Sequence, residues 1–296
     1  MNQFINSTLA VTGAGGHLGR RTIELLLEAG ARHVVGITRD PAKLADLADR
    51  GVELRAASFD DRDTLPAALV GVDRLLIIST DKLGLPGARI GQHTRAIEAA
   101  ETAGVSHLVY TSVTNPYPDR GSVVPNDHFW TEVRLAAGKL DWTSLRNNQY
   151  TDYLIPGARH AIETGTLLHA AGPGRRAYVT REDCAAAAAG ALLRAEGSKI
   201  YDVSGPEALS MPELAARFAE VSDRPVAAQS ITGPDLAAAY VKGGVPETMA
   251  DILVRFDTDT AKGYLGIVTG AVEELSGRPA QSVTDFLAAN RPALGL

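Results

Sequence analysis

The chain has 296 residues, 45% of them hydrophobic, enough for one large domain, or a domain and a smaller lobe, around a substantial core. Its 29 basic and 35 acidic side chains give a net charge of −6 without any basic run, which argues against nucleic-acid binding by phosphate neutralisation. The single cysteine excludes an internal disulfide. No apolar run has the length of a membrane span or the context of a secretory leader, so no membrane is expected and a cytoplasmic protein is.

Leu9, Ala10 and Val11 form a short apolar run that opens into glycines at 13, 15, 16 and 19, and Leu18, Ile23, Leu25, Leu26 and Leu27 then carry a helical pattern. The order is strand, tight turn, helix. Gly13 permits the turn, the missing side chains of Gly15 and Gly16 let backbone approach a pyrophosphate, and Gly19 lets the helix pack close to the strand. The helix start offers unpaired N–H groups and a partial positive charge to phosphates. Placed between a predicted strand and a predicted helix, the motif predicts a dinucleotide site in preference to an ordinary glycine turn.

Further along, residues 33–38 read as a strand ending at Arg39, with Asp40 as N-cap and Pro41 in the first turn of a helix. A strand over 52–57, a helix over 63–69, the nearly all-apolar strand RLLIIST at 74–80, a helix over 88–103 and a strand over 107–112 follow. The segment NPYPDRGSVVPN, 115–126, is too long for a routine connection and reads as a loop over an active site. A helix over 127–137 and a strand over 141–145 complete the series. This alternation predicts an α/β fold, a doubly wound parallel sheet of the Rossmann kind over residues 1–150, with ligands outside the carboxyl ends of the strands.

Beyond residue 150 the alternation is less regular. Helices are expected over 182–195, 211–222, 235–242, 247–263 and 282–290, with strands over 199–205 and 225–231. Residues 151–296 thus read as a smaller mixed lobe that covers a substrate and supplies part of the sheet. Cys184 lies in REDCAAAAAGALL, where a small buried helix residue is favoured over a reactive thiol. The alanines themselves read as strong helix formers.

Several residues are placed for chemistry. Arg39 stands where an acidic residue would bind the ribose of NAD; a guanidinium there accepts a 2′-phosphate and so favours NADPH, the other reading being a solvated arginine. Asp60 is placed to meet the adenine amino group or to cap the next helix. Ser79 and Thr80 end one strand, Thr111 and Ser112 the next, as ribose and nicotinamide contacts or as turn residues. A short-chain reductase would carry Tyr and Lys four apart, yet none of the tyrosines at 110, 117, 150, 153, 178, 201, 240 and 264 has that lysine. His128 and Glu132 are instead one helical turn apart, as a carboxylate-oriented imidazole or a solvated pair. Metal-ligand spacings and a GxSxG elbow are absent, so neither a metal nor hydrolase chemistry is expected.

The glycine turn, Arg39, the missing Tyr–Lys pair and LRNNQY together resemble the NmrA-like atypical short-chain dehydrogenases, most of all the NAD(P)H:quinone oxidoreductase type 2 group and its relative triphenylmethane reductase. The likeness runs nearly end to end through AVTGAGGHLG, ITRDPAKLADLADRGVELR, LLIIST, AGVSHLVYTS, His128 to Glu132, LRNNQYTDY, REDCAAAAA and KIYDVSG. It implies a Rossmann domain for NADPH and a small lobe, with substrate between them. Cofactor contacts implied by it are Gly13, Gly16, His17, Leu18, Arg39, Asp60, Ser79 and Thr80. Arg146, Asn147, Asn148 and Tyr150 match the LRN-x-x-Y segment lining the nicotinamide and substrate pocket. Relatives often carry lysine just after the glutamate, where this chain has Val133 and then Arg134, which puts any role of that lysine in doubt here.

The expected reaction is hydride transfer from NADPH to a quinone or a similar electrophilic small molecule, with no flavin. Hydroquinone anion is a weak base, so a tyrosine acid is less needed than for an alkoxide product, and the protein mainly positions. Asn148 and Tyr150 are the expected hydrogen-bond donors, with His128 as a proton source. The alternative is an NADP(H)-binding redox sensor without turnover; an epimerase is disfavoured because it needs the missing tyrosine. A monomer and a homodimer both remain open.

Overall fold

The computed structural model describes residues 2–83, 85, 87–119 and 121–296. The first apolar run becomes β1 (Thr8–Thr12) and the pattern after the glycines winds into α1 (His17–Glu28). There follow β2 (His33–Thr38), a 3₁₀ turn (Pro41–Leu44) running into α2 (Ala45–Ala48), β3 (Glu53–Ala56), α3 (Thr64–Ala68), β4 (Arg74–Ile77), α4 (Ala88–Ala103), β5 (His107–Val113), α5 (Val123–Ala136) and β6 (Asp141–Asn147). Next come α6 (Leu154–Thr164), β7 (Thr166–His169), β8 (Arg175–Arg176), α7 (Arg181–Arg194), β9 (Lys199–Val203) and β10 (Leu209–Ser210). The chain closes with α8 (Met211–Ser222), β11 (Ala227–Ser230), α9 (Gly233–Lys242), α10 (Glu247–Ala261), α11 (Ala271–Ser276) and α12 (Val283–Ala289).

Seven strands form one sheet in the order β3-β2-β1-β4-β5-β6-β9. Pairings from β3 through β6 are parallel, with Val11 opposite both Gly36 and Leu76. Strand order therefore reverses between β1 and β4, which is where doubly wound sheets open a crevice at their carboxyl ends. Four of the central strands' residues, Leu9, Ala10, Leu75 and Leu76, are wholly buried, as strands covered on both faces must be.

By internal contacts the chain divides into two compact units. Unit 1 holds the residues to Asn147 together with Arg181–Tyr201 and Ala271–Arg278; unit 2 holds Asn148–Thr180, Asp202–Gly270 and Pro279–Leu296. The sequence-based split at 150 is contiguous and this one is not, because α7 and α11 return to the first unit. Residues 183–193 of α7 are all buried, so the helix is an interior element with no solvent face to give it a pattern. Small side chains allow that depth: a Cβ at Gly190 would collide with the Leu275 carbonyl of α11. From β4, buried Arg74 donates to the carbonyls of Leu192, Ala191 and Ala195 at the end of α7, at 2.7, 3.2 and 2.6 Å. A guanidinium thus satisfies helix-terminal acceptors that water cannot reach.

Unit 2 packs Ile162, Met211, Leu214, Phe218 and Leu287 into its own core, beside the small sheets β7–β11 and β8–β10. Within it, buried Arg176 bonds Asp257 at 3.0 Å, Tyr178 at 3.2 Å and Thr260. α6, β7 and α11 are absent from the sequence-based expectation. Pro156 and Gly157 disguise α6, although proline is tolerated in a first helical turn.

Candidate coenzyme site in the first unit

Gly13, Gly15, Gly16 and His17 are exposed, whereas Leu18 and Gly19 are buried. Gly13 takes φ +64°, in the left-handed region that favours glycine, and a Cβ at Gly19 would collide with the Gly13 carbonyl. Gly16 is the N-cap of α1; no side chain caps it and the first turn holds no acid. Backbone N–H groups at the positive end of a twelve-residue helix are therefore left for an anion, beside glycines that admit it closely. The Leu18 side chain lies in the core, which leaves only its backbone at the helix start.

Arg39 follows β2 and is exposed. It has no carboxylate partner among the described residues, unlike Arg20 and Arg21, which pair with Asp46 and with Glu182. Asp60 follows β3, and its carboxylate takes Lys82 at 2.6 Å, Gln92 at 2.9 Å and Arg95 at 3.6 Å; the Lys82 ammonium, then the Gln92 amide, hold it below the usual carboxylate range. The helix cap that Asp60 was the alternative candidate for is Asp63.

After β4 the chain leaves the ladder earlier than RLLIIST predicts, at Ile77 in place of residue 80. Side chains then take over the backbone: Ile78 N–H donates to Thr12 Oγ1 at 2.9 Å, Ser79 N–H to Thr111 Oγ1 at 2.9 Å, and Thr80 N–H to His93 Nε2 at 3.1 Å. Thr111 is buried and also donates to Ser79 Oγ at 3.2 Å, so it props the strand end from within. Ser112 is buried too, its hydroxyl without a partner among the described residues.

His128 is not paired with Glu132. It is buried, with Arg89 Nη2 donating to its Nε2 at 3.1 Å and Tyr110 Oη lying 2.7 Å from its Nδ1. Since a guanidinium only donates, Nε2 carries the lone pair and Nδ1 the proton. Burial, then Arg89 and His93, push its pKa well below the ordinary value. This corrects the expectation of a proton source: the neutral imidazole is enclosed, and its remaining proton, on Nδ1, is directed at the buried Tyr110 Oη. Burial likewise raises the Tyr110 phenol, which makes it a weaker acid. Glu132 instead accepts from Ser144 at 2.7 Å and from both Arg146 Nε and Nη2, at 3.0 and 2.7 Å. Of the paired helix residues, one holds β6 and the other β5.

The LRNNQY segment is divided by depth. Arg146 is half-buried in its bidentate pair, and Asn147 is buried. Asn148 begins the second unit buried, its Nδ2 donating to the Leu265 carbonyl at 3.0 Å and its Oδ1 accepting from Gln149 N–H at 2.8 Å. Its carboxamide thus serves the fold of unit 2, a structural role that no sequence motif signals. Tyr150 is half-buried, bridges to Val179 and lies 5.8 Å from the Tyr153 ring. The expected 115–126 loop is shortened because α5 already starts at Val123; residue 120 lies outside the described residues. Among those residues no cluster of metal ligands occurs, and no helix is long and apolar enough to cross a membrane.

A doubly wound sheet with an uncapped, glycine-lined helix start at its switch point defines the class of Rossmann-fold nucleotide-binding oxidoreductases. Residues 13–195 match the NAD(P)H-binding family, and the chain belongs to it. Quinone oxidoreductase 2 of Escherichia coli (strain K12) is 36% identical over 94% of this chain and 96% of its own length. The crystal structure of that NADPH-dependent enzyme complexed with NADPH superposes with a TM-score of 0.89 over 95% of this chain and 99% of its own. The NAD(P)H azoreductase of Xenophilus azovorans is 30% identical over 97% of this chain and 99% of its length. Triphenylmethane reductase of Citrobacter sp., complexed with NADP(H), is 30% identical with a TM-score of 0.87, covering 95% of this chain and 99% of that one.

Proposed function

We propose that the protein binds NADPH on the glycine turn and passes hydride to a quinone or a similarly electron-poor small molecule. The observation that carries this is the open start of α1, four exposed residues of backbone with no cap and no acid, followed at the end of β2 by an exposed arginine without a carboxylate partner among the described residues. α1 takes the diphosphate and Arg39 the 2′-phosphate, which is what separates NADPH from NADH. Relatives are named as a quinone oxidoreductase, an azoreductase and a triphenylmethane reductase, and those names support an acceptor of this class.

Bound NADPH supplies the hydride; with a proton from solvent, the quinone becomes hydroquinone and the nucleotide NADP⁺. The protein's own part is positioning. Ser79 and its neighbours hold the nucleotide across the strand ends of the first unit. Buried Tyr110 and enclosed, neutral His128 are weak acids, consistent with a product anion that is only weakly basic. The test is anaerobic mixing of pure protein with NADPH and a panel of benzoquinones and naphthoquinones. NADPH consumption well above the uncatalysed rate is expected. Tight coenzyme binding with no acceptor reduced would replace this reading by that of a redox sensor, which the missing acid also suits.

A further inference from the structure

One face of α4 reaches the strand ends of the coenzyme site without being part of the glycine motif or the strands. Arg89 Nε donates to the Thr80 carbonyl at 2.6 Å, Thr80 Oγ1 donates to Gln92 Oε1 at 2.6 Å, and Thr80 N–H donates to His93 Nε2 at 3.1 Å. Each polar group of Thr80 is therefore engaged by this helix. Gln92 turns its Nε2 to Asp60 at 2.9 Å, so the same side chain ties the turn after β3 to the turn after β4.

These bonds fix the state of a buried imidazole. An N–H donor at Nε2 requires a lone pair there, which puts the His93 proton on Nδ1, 2.9 Å from Thr131 Oγ1 and 3.3 Å from Tyr110 Oη. Thr131 passes its own proton to the Asp127 carbonyl at 2.7 Å, so it is free to accept. Burial and the Arg89 guanidinium push the His93 pKa down to about 3, which keeps that lone pair in place under ordinary conditions.

We propose that Arg89, Gln92 and His93 are positioning residues for the coenzyme, that Thr80 is the anchor they hold, and that Ser79 is the side chain the strand end offers to the bound nucleotide. Ser79 Oγ accepts from Thr111 Oγ1, and its own proton has no acceptor among the described residues. It is half-buried at the end of the sheet, where a donor to ribose or phosphate oxygen is wanted. This rests on NADPH lying across the strand ends, as argued above, and reassigns the work between two adjacent hydroxyl residues.

The test has two arms. Nitrogen NMR of histidine-labelled, unaltered protein reads the tautomer of His93 directly: Nδ1–H is expected, and an Nε2–H imidazole overturns the proposal because Thr80 N–H then has no acceptor. Binding is read by NADPH fluorescence titration. His93→Leu should weaken NADPH about tenfold, the equivalent of one modest hydrogen bond's worth of misplacement, with kcat at saturating NADPH within about threefold of normal. His93→Gln, whose Oε1 falls near the place of Nε2, should recover most of the affinity, and Ser79→Ala should lose affinity without loss of thermal stability. Folded His93→Leu binding NADPH as tightly as the unaltered protein overturns the proposal, as does an equally stable His93→Gln no better than it. Should the unaltered protein bind neither NADPH nor NADH, the functional reading fails while the tautomer result still judges the geometry.

Discussion

At the scale of single residues, chemistry here is decided by whether a polar group has been spent. Arg20 and Arg21 sit one turn into α1 and are committed to Asp46 and Glu182; Arg39 carries the same charge at a strand end without such a commitment. Arg39→Gln should therefore weaken NADPH by roughly tenfold or more, the worth of a charge-assisted contact to phosphate, while barely moving NADH. Titrations with both coenzymes check this, and an equal loss on both would show that Arg39 does not meet the 2′-phosphate. Asn148 makes the opposite point. Its place in LRNNQY suggests a donor for substrate, yet its carboxamide bonds Leu265 and Gln149 in the interior of unit 2. Sequence placed the residue; only its neighbours showed how its hydrogen-bonding capacity is used.

At the scale of elements, α1 and α7 were both legible as helices and only one revealed its role. Glycines around α1 announce a close approach of backbone, and the structure sets Gly19 directly against the Gly13 carbonyl. The alanines of α7 announce helix propensity alone, whereas the element is buried along nearly its whole length and ends on Arg74. Arg74 is itself desolvated enough that burial lowers its pKa to about 10, and Phe4 stacks on its guanidinium at 3.9 Å. Arg74→Leu leaves the Leu192 and Ala195 carbonyls without their donor, the Ala191 carbonyl keeping the Ala195 N–H, and a loss of about 2–5 kcal/mol in unfolding free energy is expected. Urea unfolding measures it; a midpoint unchanged from the normal protein would mean those carbonyls find other donors. Cys184 in the same helix is buried, in keeping with a packing residue.

At the scale of the whole molecule, buried neutral histidines tie stability to pH. His93 and His107 are lowered to about 3 and about 4, by burial first and then by Arg89 and Arg74 respectively, and burial, Arg89 and His93 hold His128 well below its ordinary value. In the unfolded chain each would titrate near 6.5. Their folded pKa values lie below that, so the unfolded state binds protons first as pH falls: stability is fully present above about pH 6.5 and declines toward pH 4. The slope is about 1.4 kcal/mol per pH unit for each fully uncharged histidine. Asp127, whose carboxyl burial raises, acts in the opposite sense. Urea midpoints between pH 7 and pH 5, above the range of most carboxylates, should fall steadily, and a flat profile would mean that these imidazoles protonate in place.

The sequence by itself determined the alternating α/β order, the glycine turn with its helix start, the arginine after β2 and the absence of a Tyr–Lys pair. All of these are local: they depend on neighbours within a few residues, where periodicity, backbone freedom and spacing act directly. Tertiary structure alone decided that α7 and α11 belong to the first unit, that His128 answers to Tyr110 and Arg89 and not to Glu132, and that α4 takes up the polar groups of Thr80. Those outcomes turn on which side chains meet across tens of residues, and on burial, which sets protonation. A pair spaced by one helical turn shares a face, but only packing selects what each member of that pair touches.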